Sequence, residues 1–157
     1  MSAASPTEAP AAERELVLTR EFDAPRALVF AAFTDPAQVP AWWGPRGFTT
    51  TIHSMDVRPG GEWRYTMHGP DGTDYPNRVV YTEVARPERL AYDHGDDGGP
   101  WKPFHVTISF DDVAGRTRLT MRMVTDTVEE MQAMRRFGAP EGGVQTLDRL
   151  GEHLAAL

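Results

Sequence analysis

Between residues 48 and 124 the chain alternates apolar and polar positions repeatedly, and only Gly- and Pro-rich turns interrupt it. Trp63, Tyr65 and Met67 alternate with Arg64, Thr66 and His68. Phe104, Val106, Ile108 and Phe110 alternate with His105, Thr107 and Ser109, and Thr117, Leu119, Met121 and Met123 with Arg118, Thr120 and Arg122. Period-two runs of this kind are strands with one buried face. Strands that follow one another through short turns pair antiparallel. Their apolar face must cover something, and one long apolar element remains, a final helix with Val144, Leu147, Leu150, Leu154 and Leu157 along one face. The pattern therefore predicts an α+β two-layer fold, a sheet curved around a C-terminal helix.

The remaining segments fit this frame. Leu16, Leu18, Arg20 and Phe22 alternate with Val17, Thr19 and Glu21 as a first strand. Asp23-Ala24-Pro25 opens a helix, with Asp near the cap and Pro in the first turn. Asp35-Pro36 starts a second, which Pro40 interrupts, so Pro36 to Trp43 is one or two short turns. Phe48 to Val57 reads as a strand with a bulge near His53-Ser54, where its apolar phase shifts. Arg58-Pro59-Gly60-Gly61 and Gly69-Pro70-Asp71-Gly72 are turns, and Val79 to Val84 and Leu90 to His94 are further strands. Thr127 with Glu130 forms a capping box ahead of Val128, Met131 and Met134. Gly138-Ala139-Pro140 breaks that segment, and Gly142 and Gly143 weaken the first turn of the last helix.

With 157 residues the chain has the length of one domain. Met1 to Glu13, rich in Ala, Pro, Ser and Glu, reads as a flexible tail, which leaves 14–157 as a single domain. The longest apolar run, Ala27 to Phe33, is too short to span a bilayer, and no secretory signal is visible. Sixteen Lys and Arg against 23 Asp and Glu give a net charge of −7, without a basic stripe for nucleic acid or a polybasic segment for anionic lipid. The absence of cysteine excludes disulfides, thiolate catalysis and Cys-ligated zinc, and a reducing cytoplasmic location is the expectation.

The order of certain segments is that of a known family. Glu21-Phe22-Asp23-Ala24-Pro25-Arg26 is followed by Val29-Phe30, Phe33-Thr34-Asp35-Pro36 and Trp42-Trp43-Gly44-Pro45. Asp56 to Trp63 (DVRPGGEW), Arg86 to Leu90 (RPERL) and Leu147 to Leu150 (LDRL) continue the series. From Leu16 to Leu157 the chain resembles the SRPBCC or START-like superfamily, in the branch named for activators of a heat-shock chaperone ATPase (AHSA-type). The resemblance implies a helix-grip fold, with a seven-stranded sheet gripping the C-terminal helix, two short helices after the first strand, and an apolar cavity between sheet and helix. Eukaryotic activators also carry an N-terminal chaperone-binding domain. This chain shows none, so a chaperone partner is not expected.

Chemistry-bearing motifs are absent. There is no G-x-S-x-G, phosphate loop, G-x-G-x-x-G or H-E-x-x-H. Asp93 and His94 on one strand and His105 on the next could neighbour each other, but alternation points His105 to solvent, and neither metal nor cofactor is expected. Acid–base work has weak candidates in Tyr81 and Glu83, which share strand parity; a Tyr or Glu in an apolar cavity has a displaced pKa. Tyrosines more often bury the ring and place the hydroxyl at a rim.

Aromatic and methionine side chains carry more information. Trp63, Tyr65, Met67, Tyr81, Tyr92, Phe104, Met121, Met123, Met131, Met134 and Val144 would converge beside the last helix, where Met and aromatics suit an adaptable apolar pocket as well as a filled core. Trp42-Trp43 and Trp101 sit by Gly/Pro loops, where one would rim the cavity mouth; alternatively, Trp42 and Trp43 pin their short turns to the sheet. These residues favour binding of a small apolar or aromatic molecule, lipid- or polyketide-like, in an internal cavity. Two other readings stay open: a cyclase, hydratase or hydrolase on a hydrophobic substrate, and an interaction module acting on a chaperone or regulator. The oligomeric state, a homodimer included, is also open.

Overall fold

A computed structural model describes residues 11–157. The tail expected over Met1–Glu13 lies outside the described residues as far as residue 10, and Ala11–Arg14 form a 3₁₀ turn leading into the first strand. Seven strands follow the alternation: β1 (Glu15–Phe22), β2 (Thr49–Met55), β3 (Glu62–His68), β4 (Asp74–Ala85), β5 (Arg89–Asp96), β6 (Phe104–Val113) and β7 (Arg116–Val124). They form one antiparallel sheet in the order β1-β7-β6-β5-β4-β3-β2. Helices α1 (Arg26–Thr34) and α2 (Val39–Trp42) join β1 to β2, and α3 (Val128–Arg136) and α4 (Ala139–Ala155) end the chain. The register aligns Tyr81, Tyr92, Val106, Met123 and Leu16 in one row across the inner face.

Local chemistry sets the element ends. The capping box at α3 is complete: Glu130 N–H donates to Thr127 Oγ1, and Thr127 N–H donates to the Glu130 carboxylate. Gly138, at φ 95°, makes the left-handed corner between α3 and α4. Four details differ from expectation. No side chain caps α1, and Pro25 stands just before the helix instead of within its first turn. Pro40 lies in the first turn of α2, where its missing N–H is harmless, so it starts that helix instead of breaking it. β2 is shorter than Phe48 to Val57, although its register does shift between Ile52 and Ser54, as the apolar phase predicts. β4 and β5 run longer than their apolar runs because polar Asp74, Asn77 and Asp96 still pair in the ladder.

α4 packs against β1, α1, α2 and α3. Its apolar face is buried only in the middle, at Leu147 and Leu150; Val144 is exposed, and Leu157, expected on the same face, lies past the end of the helix and is exposed. Two glycines permit the close approach at its N-terminal end. A Cβ at Gly143 would collide with Leu18 Cδ1, and one at Gly142 would press on Pro45. The residues that weaken the first turn therefore let it reach the sheet. Under α1 and α2, Phe30, Phe33, Trp42 and Phe110 pack edge to face. Trp42 is fully buried and its Nε1–H donates to Ala32 O at 3.1 Å.

Arg149 of α4 gathers the backbone of the α2–β2 loop. The Arg149 guanidinium donates to the carbonyls of Gly44 (2.9 Å), Pro45 (3.3 Å), Phe48 (3.3 Å) and Trp43 (3.4 Å), with the other amino group reaching Ala41 O at 3.4 Å. Charged donors to carbonyls are the stronger class of hydrogen bond. Arg46 pairs with Glu152 nearby, with both side chains more than half exposed. Arg149→Met is expected to lower unfolding stability in urea by about 2 kcal/mol, and Arg46→Met by less than about 1 kcal/mol. Equal losses would contradict the staple.

Candidate functional site

Between the free side of α4 and the sheet lies an open cleft of about 810 Å³. Its floor is Tyr92, Val106, Met121 and Met123, contributed by β5, β6 and β7. Tyr65, Met67 and Asn77 of β3 and β4 line one side. Leu147 and Thr146 of α4 form the roof, and Met134, Phe137 and Gly138 close the α3–α4 corner. Trp43, Gly44 and Pro45 bring in the loop that Arg149 anchors. Carbon dominates this lining, and the volume falls in the usual range for small-molecule sites.

The polar groups gather at one end. Tyr65 Oη lies 3.0 Å from His94 Nε2, and the same nitrogen lies 2.9 Å from Asn77 Oδ1. Asn77 Nδ2 in turn donates to Tyr75 O at 2.8 Å. His94 faces the cleft on one side and is packed by Tyr65, Tyr92 and Phe104 on others, with ring centroids 6.0, 6.3 and 4.8 Å away. Loss of water around the ring pulls its pKa down to about 4. Burial pushes the Tyr65 and Tyr92 phenols well above their ordinary value. All three groups are neutral at pH 7. At the mouth, by contrast, Asp96 and Glu141 are exposed carboxylates.

Of the residues singled out from sequence, Tyr65, Met67, Tyr92, Phe104, Met121, Met123 and Met134 line this cleft. The other six do not. Trp42 pins α2 as described, and its neighbour Trp43 lines the cleft, so the two tryptophans divide the roles that sequence left open. Trp63 stacks on Tyr65, centroids 4.3 Å apart, and packs edge-on to Trp43, outside the lining. Trp101 lies over Gly95 beneath the Arg78 guanidinium. Met131 is buried against the core, and Val144 is exposed on α4. Tyr81 is buried outside the lining, and neither its hydroxyl nor Trp63 Nε1 has a partner among the described residues.

Tyr81 and Glu83 are not brought together. The β4–β5 register slips between them, so the bulge at Thr82 reverses the parity on which the pairing rested. Val84 then packs on the core, and Glu83 pairs with Arg89 at 2.7 Å, nearly half exposed. The Asp93, His94 and His105 grouping also separates. Asp93 and His105 face each other across β5 and β6 with 2.6 Å between Oδ1 and Nδ1, and His94 points to the opposite face. Sequence reasoning missed Asn77 and His94 as cleft residues. Parity with Tyr92 was the available signal for His94, and parity with Val79 for Asn77.

A sequence model of the family described as Activator of Hsp90 ATPase homolog 1-like protein matches residues 23–155. No match is found among curated proteins. Solved structures share the whole fold. A protein from Arthrobacter aurescens, solved by NMR, is 28% identical over 96% of this chain and 91% of that one, with a TM-score of 0.88. A protein from Mycobacterium smegmatis is 27% identical over 94% of each chain, TM-score 0.85. The AHSA1 protein from Silicibacter pomeroyi is 26% identical over 90% of this chain and 98% of that one, TM-score 0.74. The sheet order, the gripping position of α4 and the match over most of the length converge: the chain belongs to the Activator of Hsp90 ATPase homolog 1-like family and has its helix-grip fold.

Proposed function

We propose that the protein binds one small, neutral, apolar or aromatic molecule, lipid- or polyketide-like, in the cleft beneath α4. The observation that carries this reading is the carbon-rich lining with a single neutral polar cluster at one end. Apolar area and shape supply affinity in such sites, and a few polar groups fix orientation. The four methionines Met67, Met121, Met123 and Met134 give the lining adaptable shape. Asp96 and Glu141 at the mouth disfavour anions such as free fatty acids.

Binding is favoured over catalysis by the same cluster. A general acid or base works best with a pKa near the operating pH. Here burial drives the His94 pKa down and the Tyr65 pKa up, away from neutrality in both directions. Chaperone activation is what the family's description states of its namesake, and the cleft chemistry supports a small guest instead.

Two outcomes test this reading. N-phenyl-1-naphthylamine, a neutral fluorescent probe, is expected to bind once per chain, and Thr146→Trp, which fills the roof, is expected to weaken it at least tenfold with the melting temperature kept within a few degrees. Undiminished binding to that variant would place the probe elsewhere. The depressed His94 pKa also sets a pH dependence. Below the ordinary value of 6.5 the unfolded chain takes a proton that the folded site refuses, so stability falls with pH down to the folded pKa of about 4. Between pH 6.5 and 5 this amounts to roughly 2 kcal/mol. His105, whose pKa Asp93 raises through a hydrogen bond, acts with the opposite sign and above 6.5. The difference in unfolding free energy between wild type and His94→Gln should therefore change over pH 6.5 to 5; a constant difference would contradict the dry environment of His94.

A further inference from the structure

The polar end of the cleft has a direction that follows from one amide. Asn77 Nδ2 donates to the Tyr75 carbonyl at 2.8 Å, and a carbonyl can only accept, so Asn77 Oδ1 must face His94 Nε2. Oδ1 also has only lone pairs. At 2.9 Å, Nε2 must therefore carry a hydrogen; the other tautomer would set two lone pairs against each other. The imidazole is thus fixed as Nε2–H.

The consequence falls on Tyr65, whose oxygen lies 3.0 Å from that same protonated nitrogen. It can accept from Nε2–H but cannot donate to it. The neighbouring Trp43 ring, packed edge-on to Tyr65, offers the phenol no acceptor either, because an indole N–H only donates. The hydroxyl hydrogen of Tyr65 therefore has no acceptor among the described residues, and the side chain is only 1% exposed. A buried donor without a partner is costly, and a ligand that supplies an acceptor is selected over one that does not. Tyr65, Asn77 and His94 all line the cleft, so the acceptor belongs to its guest. The rim carboxylates Asp96 and Glu141 disfavour an anionic acceptor, which leaves a neutral oxygen.

We infer that Asn77, by fixing the His94 tautomer, makes the Tyr65 hydroxyl a donor reserved for a neutral carbonyl oxygen, and that the ligand class is an apolar or aromatic ketone, ester, amide or quinone. This rests on the reading of the cleft as a small-molecule site. 2-Acetylnaphthalene and 2-isopropenylnaphthalene differ only in C=O against C=CH₂, and each is titrated against bound N-phenyl-1-naphthylamine on the full chain. The ketone is expected to bind about tenfold more tightly to the wild type, and Tyr65→Phe is expected to remove that preference. Equal affinity for both in the wild type overturns the carbonyl assignment and leaves the binding function standing. A preference that survives Tyr65→Phe overturns the role of Tyr65, and failure of both compounds to bind overturns the binding reading together with this one. Long-range ¹⁵N–¹H NMR of the wild-type imidazoles decides the tautomer without any variant: a His94 protonated at Nε2 is expected, and one protonated at Nδ1 overturns the inference.

Discussion

A seven-stranded sheet is far wider than one helix. Six inter-strand spacings of about 4.8 Å span roughly 29 Å, and an α-helix with its side chains is about 10–12 Å across. α4 therefore covers only part of the inner face, on the β1 side, and α1 and α2 cover another part over Phe110. The stretch from β3 to β7 beneath the free flank of α4 stays uncovered, and the cleft lies there. Its existence follows from this mismatch in width. Its contents follow from the alternation that sends Tyr65, Tyr92, Val106, Met121 and Met123 inward.

The position of the helix is set by more than the burial of Leu147 and Leu150. Gly142 and Gly143 let its first turns sit close to Pro45 and Leu18, and Arg149 gathers the carbonyls of the α2–β2 loop. That loop carries Trp43 into the cleft lining, where it packs edge-on to Trp63 and Tyr65. Arg149, with Arg46 on Glu152 beside it, thus connects the helix and the loop to the polar end of the cleft. Trp43 in turn packs edge-on to the Tyr65 ring, whose hydroxyl lies beside His94.

Much of this was legible in the sequence, for reasons that can be named. Period-two runs such as Trp63-Tyr65-Met67 fix which face a residue takes, so most of the cleft floor could be read directly. Parity fails where a strand bulges, which is why Tyr81 and Glu83 looked like partners when the slip at Thr82 parts them. Periodicity also gives the face a residue takes but not where along that face the hollow lies. Trp63 and Met131 are buried yet fall outside the lining. The Asn77–His94–Tyr65 cluster spans β3, β4 and β5, and its hydrogen bonds run diagonally across the ladder. Strand pairing had to be known before those three residues could be connected.

The methionines provide the most direct test of whether a guest enters the hollow. Met67, Met121, Met123 and Met134 line it, whereas Met131 is just as apolar but buried in the core outside it. Methyl-¹³C labelling of methionine, followed during titration with N-phenyl-1-naphthylamine, should shift the four lining signals through the ring current of the probe and leave Met131 in place. Lining signals that stay fixed at saturating probe, or a Met131 signal that moves as far as they do, would contradict a guest seated between sheet and helix.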